Sequence, residues 1–265
     1  MDRFIETNRE VWNEWTEQRF TPAFEKVERF MKGEEILQPY ELEELGDVTG
    51  KKLLHLQCHF GLDTVAWAKR GAQATGVDFS PRSIELAQRL AREVGLTDRA
   101  NFVCSDVYGL PEVLDERFDI VYTSLGVLAW LPDLDRWARV IEHFLEPGGT
   151  FYVAEYHPFP IVFDDEAGIV QPRIRNRYFP GSEPQEFKGE EMGEEFVIYG
   201  WPYSLGGVVS ALAGAGLRID FLHEFPYSES QHIRFLEPKA DGNWGLPDAV
   251  EGELPLLFSV RAIKA

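Results

Sequence analysis

Between Lys51 and Tyr156, apolar runs of strand length alternate with stretches in which apolar residues recur every three or four positions. Alternation of a period near 2 with a period near 3.6 predicts βαβ units and a mostly parallel sheet. The runs KLLHLQC (52–58), AQATGVD (72–78), NFVCSD (101–106), FDIVYTS (118–124) and TFYVAEY (150–156) are read as the first five strands. Between two of them, DFSPRSIELAQRLAREVG sets Ile84, Ala87, Leu90, Ala91 and Val94 on one stripe, with Ser80 as N-cap, Pro81 at the first helical position and Gly95 as C-cap. DLDRWARVIEHFL does the same with Leu134, Trp137, Ile141, Phe144 and Leu145, and the turn EPGG (146–149) follows it.

The rhythm breaks over residues 157–203. Short alternating stretches, PRIRNRYF and EFVIYGW, surround the acidic segment PGSEPQEFKGEEMGEE, and the region is read as an insertion, a lid at about 158–203. It resumes with Ser204 capping SLGGVVSALAGAGL, the strand RIDFLHEF (218–225), a polar connection and a last strand, PLLFSVRAIK (255–264). Seven strands result. Residues 1–50 read as two or three helices, a cap over the open end of the first strand, and 51–265 as the main domain.

Composition narrows the partners. With 265 residues and 44% hydrophobic content the chain can bury a sizeable core. Its 26 Lys+Arg against 45 Asp+Glu, a net charge of -19, repels phosphate backbones and anionic membrane surfaces. The expected partner is therefore a small molecule, with no nucleic acid and no membrane. The start, MDRFIETNREVWNEW, carries charge throughout, and no later run reaches the ~20 apolar residues of a membrane span, so a cytoplasmic location is expected. Cys58 and Cys104 fall on predicted buried strands either side of a third, which argues against a disulfide.

The chemistry concentrates at strand ends. LLHLQCHFGLDT (53–64) has the form of a strand and glycine-rich turn, but Gln57 and His59 stand where glycines are expected. Asp78 ends the second strand 17 positions beyond Gly61, where nucleotide-binding sheets carry the acid that grips ribose hydroxyls. A pyrophosphate needs a glycine for close backbone approach at the position of His59, so a dinucleotide is disfavoured. A cofactor with adenosine at one end and an amino acid at the other makes no such demand. His55 and Cys58, three apart on a strand, face opposite sides, so no metal site is expected.

The ordered series LLHLQCHFG, GVDFS, CSDVYGLP, FDIVYTSLGVLAWLPD and LEPGGTFYVAE, spanning roughly Lys51 to Phe159, resembles the class I S-adenosylmethionine-dependent methyltransferases, in the subgroup whose first strand reads HLQCHFG. The resemblance implies an α/β, Rossmann-like sheet of seven strands in the order 3-2-1-4-5-7-6, the last antiparallel, with helices on both faces. It implies S-adenosyl-L-methionine as cofactor and methyl transfer to a small-molecule acceptor. It places Gln57, Cys58, His59 and Gly61 beside the methionine part, Asp78 on the ribose hydroxyls, Phe79 on the adenine, and Asp106 and the Val107 amide at the adenine edge. Thr123 and Ser124 would face the cofactor, with Leu128 or Trp130 closing over it. The chain departs from the family in carrying His55 for the usual first-strand acid and one glycine, Gly61, where three are usual.

Other readings stay open. Asp78 could simply cap the Ser80–Pro81 helix start, and Asp106 could simply form an Asx turn. Trp12 and Trp15 form either core packing or an aromatic wall near the sulfonium. Arg173, Arg175 and Arg177, alternating on a possible strand, either pair with glutamates or bind an anionic acceptor. His157, directly after the fifth strand, is the candidate base, against a structural role in the HPFP turn. A noncatalytic S-adenosylmethionine sensor and an NAD-dependent oxidoreductase are the alternative functions.

Overall fold

A computed structural model of the chain describes residues 3–20, 24–165, 168–169, 172–179, 181, 183–191, 194–250 and 252–265. Among these residues the α-helices are α1 (Arg3–Phe20), α2 (Phe24–Met31), α3 (Pro39–Leu45), α4 (Leu62–Lys69), α5 (Pro81–Glu93), α6 (Leu134–Phe144) and α7 (Leu205–Gly214). The strands are β1 (Lys52–Leu56), β2 (Gln73–Asp78), β3 (Ala100–Cys104), β4 (Phe118–Thr123), β5 (Leu145–Tyr156), β6 (Gln185–Glu191), β7 (Glu194–Gly200), β8 (Leu217–Phe225), the two-residue β9 (Glu237–Pro238) and β10 (Trp244–Gly245), and β11 (Leu257–Lys264).

Seven of these make one sheet in the order β3-β2-β1-β4-β5-β11-β8. Strands β1 to β5 pair in parallel, and β11 runs antiparallel between β5 and β8. This is the expected 3-2-1-4-5-7-6 order, with β8 and β11 as its sixth and seventh members. Because successive side chains leave a strand on opposite faces, each central strand feeds two cores. Leu53, Ile120, Tyr122 and Tyr152 join one with α2, α3, α4 and α5. Leu54, Val121, Phe151 and Val153 join the other with α6 and α7. The helix starts use the expected caps: the side chains of Ser80, Asp133 and Ser204 accept from the amides of Ser83, Arg136 and Gly207.

The region between β5 and α7 differs from expectation. EFVIYGW is β7, but its partner β6 lies in the acidic stretch, and PRIRNRYF is no strand: it forms a single bridge, Phe163 to Ile174. The amides of Arg175 and Asn176 both donate to the Val162 carbonyl, so the chain folds back there instead of extending. Arg175 pairs with Asp164 at 3.2 Å rather than with a glutamate, while the side chains of Glu190, Glu191 and Glu194 lie outside the described residues. The β6–β7 hairpin packs on α1, where Asn8 exchanges hydrogen bonds with the Tyr199 backbone and Trp15 meets Phe196 edge to face. A third, small core of Ile169, Ile233, Phe235, Leu236 and Leu256 ties the same region to the polar connection after β8. Cys58 and Cys104 are free thiols; Cys58 is buried just past β1, and Cys104, expected in a buried strand, is exposed on β3 at the edge of the sheet.

Candidate functional site

A cavity of about 270 Å³ opens at the carboxyl ends of β1, β2 and β4, the edge where parallel sheets bind ligands. The turn after β1 forms its floor. Gln57 and His59 have φ of 56° and 50°, and Gly61 has φ of 77°. The turn therefore follows a left-handed path that favours glycine, with side chains at two positions where they cost roughly 1–2 kcal/mol each. Its surroundings hold it there: the Cys58 amide donates to the Val77 carbonyl (2.8 Å), the His59 amide to Asp78 Oδ2 (2.9 Å) and the Gly61 amide to the Cys58 carbonyl (2.9 Å). Gly61 is also required by space, since a Cβ there would lie 2.5 Å from the Phe102 ring. Gln57 Nε2 donates to the Val127 carbonyl at 3.1 Å, whereas its Oε1 is buried with no partner among the described residues.

Gln57, Cys58, His59, Gly61, Asp78, Phe79, Asp106, Val107 and Ser124 all line this cavity. The Asp78 carboxylate is 8% exposed, and burial raises its pKa to about 6 against the opposing amides of Ser80, His59 and Phe79. Asp106 Oδ1 accepts from the amides of Tyr108 and Gly109, both at 3.0 Å, so it closes an Asx turn and lines the cavity at once. Trp12 lines it too, edge to face with His59 and Trp130; Trp15 instead packs on the hairpin. Lys26, with its pKa raised chiefly by Asp63, completes the wall beside that carboxylate.

Three expected residues lie elsewhere. Thr123 and Leu128 are fully buried and do not reach the cavity. His157 is buried behind β5, where Nδ1 accepts from the Phe159 amide at 3.2 Å and Nε2 lies 2.9 Å from Glu224 Oε1. An amide can only donate, so the proton sits on Nε2 and the lone pair of Nδ1 is already engaged. His55, at the position of the usual first-strand acid, does not line the cavity and forms a neutral bridge beneath it: Nδ1 meets Thr64 Oγ1 at 2.8 Å and Nε2 meets Ser124 Oγ at 3.0 Å. Burial pushes its pKa down to about 4.

Glu155 was missed. Its carboxylate, 1% exposed at the end of β5, accepts from the amides of Gly126 (2.6 Å), Val127 (2.7 Å) and Leu128 (2.9 Å) and shapes the loop after β4. The signal was present in YVAEYH, where Glu155 is the lone charge in an apolar strand. Beside that loop lies a second, open cavity of about 320 Å³, which shares Gly126 and Trp130 with the first and is lined also by Tyr156, Phe163, Asn176, Tyr203 and His232. Among the described residues no group of acids, histidines and cysteines could hold a metal ion, and no helix is long and apolar enough to cross a membrane.

Sheet order and a strand-end cavity with an acid, Asp78, at the end of β2 define a Rossmann-like fold. Residues 54–153 match the family described as a methyltransferase domain. The chain is 31% identical over 134 residues to the sterol 4-C-methyltransferase strm-1 of Caenorhabditis elegans, covering 50% of this chain and 39% of that one. It is 35% identical over 103 residues to a ubiquinone biosynthesis O-methyltransferase of Idiomarina loihiensis, covering 39% and 41%. The aligned part thus spans about two fifths of these relatives. The crystal structure of an S-adenosylmethionine-dependent methyltransferase from Mesorhizobium loti superposes with a TM-score of 0.57 at 20% identity, covering 85% of this chain and 96% of that one.

Proposed function

We propose that the chain is an S-adenosylmethionine-dependent methyltransferase acting on a small-molecule acceptor. The observation that carries this reading is the convergence of Asp78, Phe79, Asp106 and the 57–61 turn on one cavity at the strand ends. The donor set fits the cofactor. Asp78 would accept from the ribose hydroxyls, Phe79 would pack on the adenine, and Asp106 with the Val107 amide would meet the adenine edge. The buried, unpartnered Oε1 of Gln57 would accept from the methionine ammonium, and Lys26 would meet the carboxylate. When bound, S-adenosylmethionine supplies a methyl group on a positively charged sulfur, ready for in-line displacement.

The protein's own part is positioning and exclusion of water. The Glu155 carboxylate fixes residues 126–128, and Val127 in turn holds Gln57. Trp12 and Trp130 supply an aromatic wall suited to a sulfonium. Residues 1–50 act as a cap and the segment at about 158–203 as a lid, which brings the acceptor to the Gly126–Trp130 wall. The two curated relatives are named for a carbon and an oxygen acceptor, so their names agree on methyl transfer and not on the acceptor.

The test is calorimetry and thermal unfolding with S-adenosylhomocysteine, with NADH as control. S-adenosylhomocysteine should release heat and raise Tm by mass action, and NADH should do neither. No heat and no shift with S-adenosylhomocysteine at millimolar concentration would overturn the reading.

A further inference from the structure

The second cavity contains a histidine that the strand-end site does not use. His232 stands in the polar connection after β8, with its ring stacked on Tyr156 at a centroid distance of 4.1 Å and an interplanar angle of 17°. Nδ1 lies 3.0 Å from Ser228 Oγ and 3.4 Å from the Ser230 carbonyl oxygen. A carbonyl oxygen can only accept, so Nδ1 carries the proton. The lone pair is then on Nε2, which is buried without a partner among the described residues. An unpartnered buried acceptor costs roughly 1–3 kcal/mol and calls for an explanation.

Its surroundings supply one. Trp130, Tyr156, Ile161, Phe163 and Ile233 give the wall a largely aromatic and aliphatic face suited to a flat ring, while Glu155, Asp165 and Asn176 add polar groups at its side. It is held in shape from both sides: Tyr156 Oη meets Ser230 Oγ at 2.8 Å, Tyr203 Oη donates to the Tyr156 carbonyl at 2.8 Å, and the Arg234 amide donates to Asp165 at 2.5 Å. Gly126 and Trp130 line both cavities, so the two adjoin at these residues.

We propose that this second cavity is the acceptor site, that its ligand is a planar ring bearing a phenolic hydroxyl, and that His232 Nε2 takes the hydroxyl proton during transfer. This rests on the methyl-transfer reading above. The atoms balance: the acceptor oxygen forms a bond to the methyl carbon, the carbon–sulfur bond breaks with its electron pair going to sulfur, and the O–H proton goes to Nε2. Burial pushes the His232 pKa down to about 4, so the ring is neutral near pH 7 and its lone pair is available. A weak base suffices, because the oxygen proton becomes strongly acidic as the methyl bond forms.

The probe is 2-naphthol, added to the full chain labelled with ¹⁵N-histidine and saturated with S-adenosylhomocysteine. The His232 signals are assigned by their loss in His232→Gln. Before the probe is added, Nε2 should resonate in the unprotonated range. The probe should then shift it, naphthalene should not, and His232→Ala should weaken 2-naphthol at least tenfold. Failure of 2-naphthol to bind, binding that leaves Nε2 unmoved, or equal affinity in His232→Ala would overturn the proposal. The NMR arm reads the wild-type chain and needs His232→Gln only for assignment. If S-adenosylhomocysteine gives its calorimetric heat and 2-naphthol is silent, the acceptor site falls and the cofactor reading stands; if S-adenosylhomocysteine itself gives no heat, the cofactor reading falls.

Discussion

The two cavities that meet at Gly126 and Trp130 are built in opposite ways. The first draws mainly on turns that directly follow β1, β2, β3 and β4, so most of its residues are placed by the strand before them, with Trp12 of α1 and Lys26 of α2 added to the wall. The second gathers residues from the segments around 126–130, 155–156 and 161–165 with Asn176, Tyr203, His232 and Ile233, brought together by a small core and a few side-chain bonds. A chemically demanding cofactor contact belongs on a rigid sheet, and an acceptor contact can be assembled from segments free to vary. Glu155 joins the two, because it lines the second cavity while holding the loop that walls the first.

Breaking that joint should have the largest effect. Glu155→Ala leaves the amides of Gly126, Val127 and Leu128 without their acceptor, and at about 1–3 kcal/mol for each buried orphan, partly rehydrated, the loss should be roughly 3–6 kcal/mol by urea unfolding. A loss under about 1 kcal/mol would mean that the two cavities are independent.

The next effect concerns the floor of the first cavity and depends on pH. His55 is depressed from 6.5 to about 4, so between these values the unfolded chain binds the proton that the folded chain refuses. Its contribution is fully present above pH 6.5 and is lost as pH falls towards 4. Asp78, raised from 3.8 to about 6, acts in the opposite direction, losing stability as pH rises through that window. The variant difference isolates the histidine: the stability gap between wild type and His55→Gln should shrink by about 3 kcal/mol from pH 7 to pH 4. A gap independent of pH would place a charged imidazole in the fold.

Asp78→Ala should act on the first cavity alone, weakening S-adenosylhomocysteine by roughly 1.5–3 kcal/mol, on the order of 10- to 150-fold, while 2-naphthol binding to the second cavity is unchanged. Affinity in the wild type should also fall below about pH 6, as the carboxylate takes up its proton. The smallest effect is expected at Gln57→Gly. Relief of the left-handed backbone is offset by the more flexible unfolded chain and by loss of the bond to Val127, so stability should change by less than about 1 kcal/mol, whereas Gln57→Val should cost more than that.

Much of the first cavity was readable because its signals are local. Asp78 before Ser80–Pro81, the CSD run and the β1 turn each carry their chemistry within a few residues, and alternating apolar positions placed the sheet between two helical layers. The conformation of the turn was not readable, since Gln57 and His59 hide a glycine path that only tertiary hydrogen bonds sustain. Strand β6 escaped notice because QEFKGEE is polar on both faces, so no burial pattern marks it. His232 escaped because the described residues of 226–254 form no element longer than two residues, and its pocket is completed by residues such as Asn176 and Phe163 far away in the chain. Thr123 and His157 were placed by proximity to strand ends, but both side chains turn into the protein.

The most direct test of the account is a crystal structure with S-adenosylhomocysteine bound. It should place the ribose hydroxyls on the Asp78 carboxylate, the amino-acid end at Gln57 Oε1, and the sulfur at the Gly126–Trp130 wall facing the His232 cavity. Ligand bound with its ribose away from Asp78, or with its sulfur turned away from that wall, would contradict the claim that the two cavities are the two halves of one methyl-transfer site.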